Sequence, residues 1–186
     1  MRRPLALVTA VCLLAAGCGV PEEDTAREID RSRHPRVVDT APTAQPSGPA
    51  SERLFLVRDG QLASVQRRLP SEPDAQALLA DLLRGPTDAE QQQGLGSALI
   101  GSDAAATVTV VDGTATVELP VAIEGTGRND DVLAFGQIVC TLTGRRDILQ
   151  VVFTRQGQRI GVPRPDAPLT QQPLRADDYA SLLPGE

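Results

Sequence analysis

The sequence predicts an α+β fold, with two helices packed on one face of a mixed β-sheet. Three patterns point to it: short apolar runs beside tight-turn pairs, two longer stretches with apolar residues at helical spacing, and the alternation of these segments over residues 52–186. Strands and helices in this order form layers around one apolar core. That core must consist of Leu, Val, Ile and Ala, because the chain has no Trp, one Tyr and three Phe.

The first predicted element is a β-hairpin. Residues 54–57 form an apolar run typical of a buried strand, and the pair Asp59-Gly60 favours a tight turn. Residues 62–69 then predict the returning strand. This hairpin opens the predicted folded domain, which we place at residues 52–186.

A helix is predicted to follow the hairpin. Ser71 is the expected N-cap, with Asp74 three residues later and Pro73 tolerated in the first turn. Gly85 and Pro86 are expected to end the helix, because glycine adopts the left-handed conformation there and proline cannot continue the helical hydrogen bonding. One apolar stripe forms its predicted buried face: Ala75, Leu78, Leu79, Leu82 and Leu83.

The clearest hairpin follows residues 87–103, which are predicted to form an irregular loop rich in Gln and Gly. Its two-residue turn is Asp112-Gly113. This turn fixes a register that sorts nearly all side chains by polarity, which supports the assignment. The predicted pairs are Val110 with Ala115, Val108 with Val117 and Ala106 with Leu119.

A second helix is predicted to begin near residues 129–131 and to end at Gly144. The acidic residues at its start suit the positive end of a helix dipole. Its predicted buried face comprises Val132, Phe135, Ile138, Val139 and Leu142.

The last predicted strand, residues 148–154, turns back at residues 156–157. A Pro-rich tail follows, with a short helical turn around residues 177–183. The turn at 156–157 sets two pairs: Phe153 with Ile160 and Val151 with Val162.

The N-terminus resembles a bacterial lipoprotein export signal. Arginines at residues 2–3 supply positive charge, and small residues directly precede Cys18. The apolar run at residues 5–15 is too short to span a hydrocarbon core of ~30 Å. We therefore expect residues 1–17 to be a cleaved signal peptide and Cys18 to be acylated, with palmitate as a suitable label. The alternatives are an ordinary secretory signal with a chance cysteine, and Cys12, which a bulky preceding residue makes a poorer acceptor.

Residues 18–51 are predicted to be a disordered tether. Prolines lie there among Ser, Thr, Ala and charged residues, with almost no apolar periodicity, so burial cannot offset the ordering entropy. A flexible chain of this length has a reach of about 30 Å. Such a segment would hold a domain away from the membrane without fixing its orientation.

The charge balance excludes a basic nucleic-acid interface. Removal of residues 1–17 takes two of the 18 cationic residues and none of the 24 acidic ones, so the net charge falls from −6 to about −8. Attraction to anionic headgroups is not expected either, so membrane contact must come through the lipid. All the cationic residues are Arg, which suggests a GC-rich coding sequence and an actinobacterial cell wall.

Catalytic and metal-binding patterns are poorly supported. The only histidine, His34, lies in the predicted tether and cannot maintain the geometry of a Ser-His-Asp or Cys-His site. Ser97 is predicted to be a loop residue or cap, and the acidic pairs at 130–131 and 177–178 to be helix N-terminal acids. Cys140 is predicted to be a buried residue without a disulfide partner. A glycosidase would lack the usual aromatic platforms, and no cofactor or metal is expected.

Several segments together carry a family resemblance. They are residues 54–60, 82–87, 94–100, 115–119, 137–143, 151–157 and 173–179. In these segments the folded region resembles the GerMN domain, a module of sporulation and germination proteins that also occurs in actinobacterial envelope lipoproteins. The most specific matches are the Gly-Pro-Thr run at 85–87 and the Thr-Leu-Thr run at 141–143. The chain departs from the family at Cys140, where an aromatic residue is commoner, and it carries one copy without a propeller domain.

The resemblance implies a non-catalytic fold, similar to the ring-building motifs of secretion assemblies, that makes protein contacts in the envelope. It transfers no catalytic residue. Gly85, Pro86 and Leu142 also have structural explanations as cap, helix stop and core. The family-motif positions, structural or binding, are Gly85, Pro86, Thr87, Ser97, Thr141 and Leu142.

The resulting hypothesis is a module on the extracytoplasmic face of the cell membrane, held by a lipid on Cys18. It is expected to bind another envelope protein, such as a sensor or a wall-assembly component. The second hypothesis is a small-ligand or lipid carrier, which needs an apolar cavity. A wall hydrolase and a structural role without a partner are weaker alternatives.

Overall fold

The computed structural model describes residues 48–99, 106–120 and 127–184. They belong to a compact unit that spans residues 41–186. The predicted signal peptide, Cys18 and most of the predicted tether lie outside the described residues. Within the described ranges, no helix is both long enough and apolar enough to cross a membrane.

The first hairpin consists of strands β1 (Ala50–Arg58) and β2 (Gln61–Leu69). The strands are antiparallel, and Leu54 lies opposite Val65. Asp59 and Gly60 have φ values of 52° and 75°, so both residues adopt the left-handed conformation that a tight hairpin turn requires. The predicted turn is confirmed, and β1 begins at Ala50, inside the last two residues of the segment predicted to be a tether.

Helix α1 (Ala75–Arg84) is capped by Asp74, whose Oδ1 accepts a 2.7 Å hydrogen bond from the Ala77 amide. The prediction of Ser71 as the N-cap is wrong. Pro73 disfavours the helical conformation for the residue that precedes it, so the helix cannot begin before the proline. The predicted end is confirmed: Gly85 follows the last helical residue with φ of 81°.

The segment predicted as an irregular loop contains a short second helix, α2 (Asp88–Gln92). Thr87 accepts a hydrogen bond from the Glu90 amide, and the Glu90 carboxylate accepts one from the Thr87 amide. This reciprocal capping box stabilises a helix that has no apolar periodicity. The Thr-x-x-Glu spacing at 87–90 was the sequence signal that the loop prediction missed.

A four-stranded mixed sheet follows in the order β3 (Thr107–Val111), β4 (Thr114–Glu118), β5 (Gln150–Arg155) and β6 (Gln158–Arg159). Strands β3 and β4 pair in the predicted register, with Val108 opposite Val117 and Val110 opposite Ala115. Strands β4 and β5 are parallel. The buried Ala106 and Leu119 flank this ladder.

Helix α3 (Arg128–Thr143) lies at the centre of the domain. Residues 132–142 are buried without interruption, so the helix is covered on all sides and not only along the predicted stripe. It contacts β1, β2, α1, β5 and β7. A helix whose side chains are apolar on all sides, or polar with hydrogen-bond partners, is expected in the interior of a domain.

The C-terminal region is more regular than a Pro-rich tail. Strands β7 (Val162–Arg164) and β8 (Ala167–Thr170) form a hairpin, and a 3-10 helix (Ala176–Leu182) follows. Ile160 donates to the Phe153 carbonyl, close to the predicted pairing. The predicted pairing of Val151 with Val162 is wrong, because Val151 exchanges two 2.8 Å hydrogen bonds with Leu174.

The α+β class is confirmed, and the structure adds its layers. The strands in the described residues divide into three sheets, of which the four-stranded one is mixed. Helix α3 packs against both the first hairpin and the four-stranded sheet through β5. The core is aliphatic as predicted, with one close aromatic pair, Phe135 and Phe153, whose ring centroids lie 4.9 Å apart.

Candidate functional site

The Gly-Pro-Thr motif forms the junction between α1 and α2. The Gly85 amide donates to the Leu82 carbonyl at 3.0 Å, which closes α1. Thr87 begins α2 through the capping box with Glu90. Pro86 lies between the two caps, where no helical amide donor is needed. The motif therefore ends α1 and begins α2 within three residues.

A largely buried arginine, with 11% of its side chain exposed, fixes this junction to the first hairpin. Arg67 of β2 donates to both carboxylate oxygens of Glu90, at 2.9 and 2.7 Å, and to the Gly85 carbonyl at 2.9 Å. Burial opposes ionisation of Glu90, but the Arg67 and Thr87 hydrogen bonds hold its pKa below the ordinary value. This bidentate pair is the strong form of a charged hydrogen bond.

Glu52 lies opposite Arg67 across the hairpin and is more weakly paired. Its Oε1 is 3.9 Å from Arg67 Nη1, and its buried Oε2 has no hydrogen-bond partner among the described residues. Burial raises the pKa of Glu52 to about 7, the neighbouring Asp81 carboxylate adds to the rise, and Arg67 opposes it. Glu52 and Arg67 were not singled out in the sequence, because their burial depends on the packing of α1 over the hairpin.

Side chains of α3 complete part of the outer edge of β1. Thr141 Oγ1 accepts a 3.0 Å hydrogen bond from the Phe55 amide, and Gln137 Nε2 donates to the Phe55 carbonyl at 2.9 Å. Gln137 Oε1 also accepts from the Ala98 amide at 2.7 Å and from Ser97 Oγ at 3.4 Å. Of the predicted positions, Thr141 bonds this strand edge directly, and Ser97 is linked to it through Gln137.

Gln137 is the residue that sequence reasoning missed at this edge. Its side chain is fully buried and uses both its donor and its acceptor. The available signal was an amide in the middle of an apolar helix, since buried polar groups in proteins are almost always hydrogen-bonded.

An open groove of about 670 Å³, here called the β1 groove, lies beside the beginning of β1. Thr141 is the predicted site residue that lines it. The wall also includes the start of α1 and the chain after α3. Its lining residues are Ala50, Ser51, Glu52, Arg53, Gln66, Glu72, Pro73, Leu78, Thr141, Gly144, Arg145 and Arg146.

A second groove of about 540 Å³, here called the Gly85 groove, contains two other predicted residues, Gly85 and Pro86. Leu83, Leu95 and Gly96 contribute to its wall. Thr87 and Ser97 support the neighbouring backbone, and Leu142 is a fully buried core residue. The predicted motif thus divides between two grooves and the interior.

The described part of the chain offers hydrogen bonding and charge at these grooves. Cys140 is a buried free thiol, and burial raises its pKa to about 12. Within residues 48–99, 106–120 and 127–184, no group of three His, Cys, Asp or Glu side chains could hold a metal ion. The acids at 130–131 and 177–178 lie in the first turns of their helices, as predicted.

Solved structures share this fold. The tandem GerMN domains of the sporulation protein GerM from Bacillus subtilis are 17% identical, with a TM-score of 0.54. That match covers 69% of this chain and 47% of the tandem-domain chain, so the present chain spans about half of it. The first GerMN domain of GerM alone is 16% identical with a TM-score of 0.52, over 66% of this chain and 95% of that one.

A further similar structure is a predicted lipoprotein from Clostridium perfringens, 18% identical with a TM-score of 0.47, over 73% of this chain and 93% of that one. Among proteins with curated functions, none matches the chain significantly. The family model described as Germane, sporulation and spore germination, matches residues 43–161. Because that match covers well over half of the sequence, the chain belongs to the Germane family, whose domain the sequence motifs had indicated.

Proposed function

We propose that this protein is a lipid-anchored module of the cell envelope that binds another protein and carries out no catalysis. The observation that supports it is that some polar groups are enclosed and hold the fold together, whereas others face solvent in the β1 groove. Arg67 and Glu90 are largely enclosed and join secondary-structure elements. Glu52 is buried as well, although it lines the β1 groove. The β1 groove instead presents backbone groups and exposed arginines to solvent. Such a surface is suited to contact with a partner.

The proposed anchor is a lipid on Cys18, with residues 18–51 as a tether at the extracytoplasmic face of the membrane. The export-signal pattern of residues 1–17 supports this placement. An actinobacterial envelope fits the exclusive use of Arg as the cationic residue. A sensor or wall-assembly component remains the proposed class of partner.

Two experiments test the proposal. Metabolic labelling with palmitate should mark the wild-type protein and not Cys18→Ser, while Cys12→Ser keeps the label. Affinity capture from crosslinked cells should recover the same envelope protein in independent cultures. Labelling that survives Cys18→Ser would refute the anchor, and capture of no reproducible protein would refute the binding role.

A small-ligand or lipid carrier is the second candidate. The Gly85 groove favours it, because Leu83, Pro86 and Leu95 give that groove an apolar wall. Native mass spectrometry of protein purified from its own envelope would show a bound molecule of constant mass. Loss of that mass in Leu95→Asp, with retention in Leu169→Asp at an exposed position outside the groove lining, would support the carrier role.

A further inference from the structure

Strand β1 has an outer edge that is only half covered. In an antiparallel pair, alternate residues direct their amide and carbonyl groups away from the partner strand. The β1–β2 register is regular from Ala50 to Arg58, and the backbone groups of Phe55 and Val57 bond away from β2. The same alternation turns the backbone groups of Ser51 and Arg53 toward this outer edge.

The covered half of the edge is the part near the turn. Val57 exchanges hydrogen bonds of 2.9 and 2.7 Å with Gly96. Phe55 is bonded by Thr141 and Gln137, whose side chains take the place of a neighbouring strand. The edge is therefore already organised for pairing, and α3 supplies a partner only as far as Phe55.

The open half lies in the β1 groove. In the described part of the chain, no hydrogen bond reaches the outward backbone groups of Ser51 or Arg53. Both residues line the groove together with Thr141, so the groove continues the edge past the point where the α3 side chains stop. Unpaired strand edges of this kind are templates for an added strand.

The β3 edge of the four-stranded sheet is less open. There, Gln76 of α1 donates to the Ala106 carbonyl and accepts from the Val108 amide. One side chain thus covers the first half of β3, and the grooves described above do not include that strand. The described β1 edge, in contrast to that of β3, has unpaired backbone groups and also lies along the wall of a groove.

The charges of the β1 groove favour an acidic ligand. Arg53 and Arg146 are exposed and form no ion pair among the described residues. Arg145 is held by Asp147 through two hydrogen bonds of 2.9 and 3.0 Å. Glu72 is the exposed carboxylate of the lining. Two unpaired guanidinium groups in a protein of net charge −6 mark this groove as a local site for carboxylates.

We propose that an extended acidic segment of a partner protein adds to β1 at Ser51 and Arg53 as a new strand, with its carboxylates on Arg53 and Arg146. This inference rests on the proposed function, since it names the surface by which the module binds its partner. Main-chain hydrogen bonds would supply affinity and the arginines would supply selectivity, as in other cases of strand addition.

One backbone variant isolates the edge. Arg53→Pro removes an outward amide and leaves the inward β1–β2 ladder bonds intact, because proline is tolerated on edge strands. Ser64→Pro is the matched control: Ser64 lies opposite Phe55, so its amide points outward on the far side of β2. Arg53→Ala retains the amide and removes only the guanidinium group. Amide spectra of each variant would establish that it is folded.

The probe is the acetylated, amidated peptide Thr-Glu-Val-Glu-Thr, added to the full mature chain and followed by backbone amide shifts. We expect the largest shifts at Ser51 and Arg53. Binding should be about tenfold weaker in Arg53→Pro than in Arg53→Ala, as for loss of one main-chain hydrogen bond, and remain at the wild-type level in Ser64→Pro. A version with Lys in place of Glu should bind more weakly. Shifts centred elsewhere, or equal binding of the Lys peptide or of a backbone N-methylated peptide, would overturn the proposal.

Capture from crosslinked cells separates this inference from the proposed function. Loss of the captured protein with Arg53→Pro, and its retention with Ser64→Pro, would support both. Equal capture by the wild type and Arg53→Pro would overturn the β1 site while the binding role stands. Capture of nothing by the wild type would overturn the binding role and the inference that rests on it.

Discussion

Glu52→Gln should remove a pH dependence that one buried carboxyl gives to folding. Glu52 is enclosed between the hairpin and α1, with one oxygen unpartnered and Asp81 nearby. Its pKa rises from 4.5 to about 7 in the folded protein. The folded state therefore holds this proton more tightly than the unfolded state. The stabilisation from that proton is complete below pH 4.5 and is lost as the pH rises through 7.

The size of the effect follows from the same two pKa values. A change from 4.5 to about 7 corresponds to about 3 kcal/mol of unfolding free energy. The carboxyls with lowered pKa values, such as Glu90, act in the opposite direction and at lower pH. Their contribution is already complete above pH 5, so the window between pH 5 and 8 reports on Glu52.

The assay is urea unfolding of both proteins at several pH values in this window. The wild type should lose stability by up to about 3 kcal/mol between pH 5 and 8, whereas Glu52→Gln should not. The two proteins should be nearly equal at pH 5, where Glu52 is largely protonated. Glu72→Gln, at an exposed carboxylate that lines the β1 groove together with Glu52, is the control and should follow the wild type. Parallel curves for the wild type and Glu52→Gln would refute the reasoning.

Three further outcomes are expected. Arg67→Ala should lower the unfolding free energy by about 3 kcal/mol, because it leaves buried carboxylates unpaired. Arg68 is exposed, so Arg68→Ala should change the unfolding free energy by less than about 0.5 kcal/mol in the same denaturation experiment. Gln137→Leu should lower the unfolding free energy by about 2 kcal/mol and speed hydrogen exchange of the Ala98 amide. Unchanged exchange would show that the hydrogen bond from Ala98 to Gln137 does not hold the chain at Ala98 in place. Cys140 should react with iodoacetamide only after unfolding, because the thiol is buried and its pKa is raised to about 12; rapid labelling of folded protein at pH 8 would contradict that placement.

Turn chemistry explains which parts of the fold could be predicted. The pairs Asp59-Gly60 and Asp112-Gly113 both adopt positive φ, and each fixes the register of its hairpin. Local signals also gave the C-terminal end of α1, since Gly85 needs only its own conformation to act as a cap. The N-terminal end differs from the prediction because Pro73 disfavours a helical conformation for Glu72, so that Asp74 and not Ser71 caps the helix.

Contacts between distant segments explain what could not be predicted. Val151 was expected to pair with Val162 across a short turn, yet the position beside it is occupied by Leu174. Strand β6 has only two residues before the chain leaves the sheet, and Pro163 has no amide for a ladder. A pairing between residues 151 and 174 depends on the path of the chain, which local patterns do not encode.

The candidate site divides in the same way. Local patterns were enough to predict the family motif, the registers of the first two hairpins and the helix that carries Thr141, because periodicity and turn residues act over a few positions. Three features come from the packing of distant segments. Gln137 and Thr141 lie along β1, the buried Glu52 lies beside the largely buried Arg67, and Arg53 lines an open groove. Those facts depend on side chains that lie far apart in the sequence and meet only after α3 is enclosed by the sheets, so the binding surface arises from packing and not from any one segment.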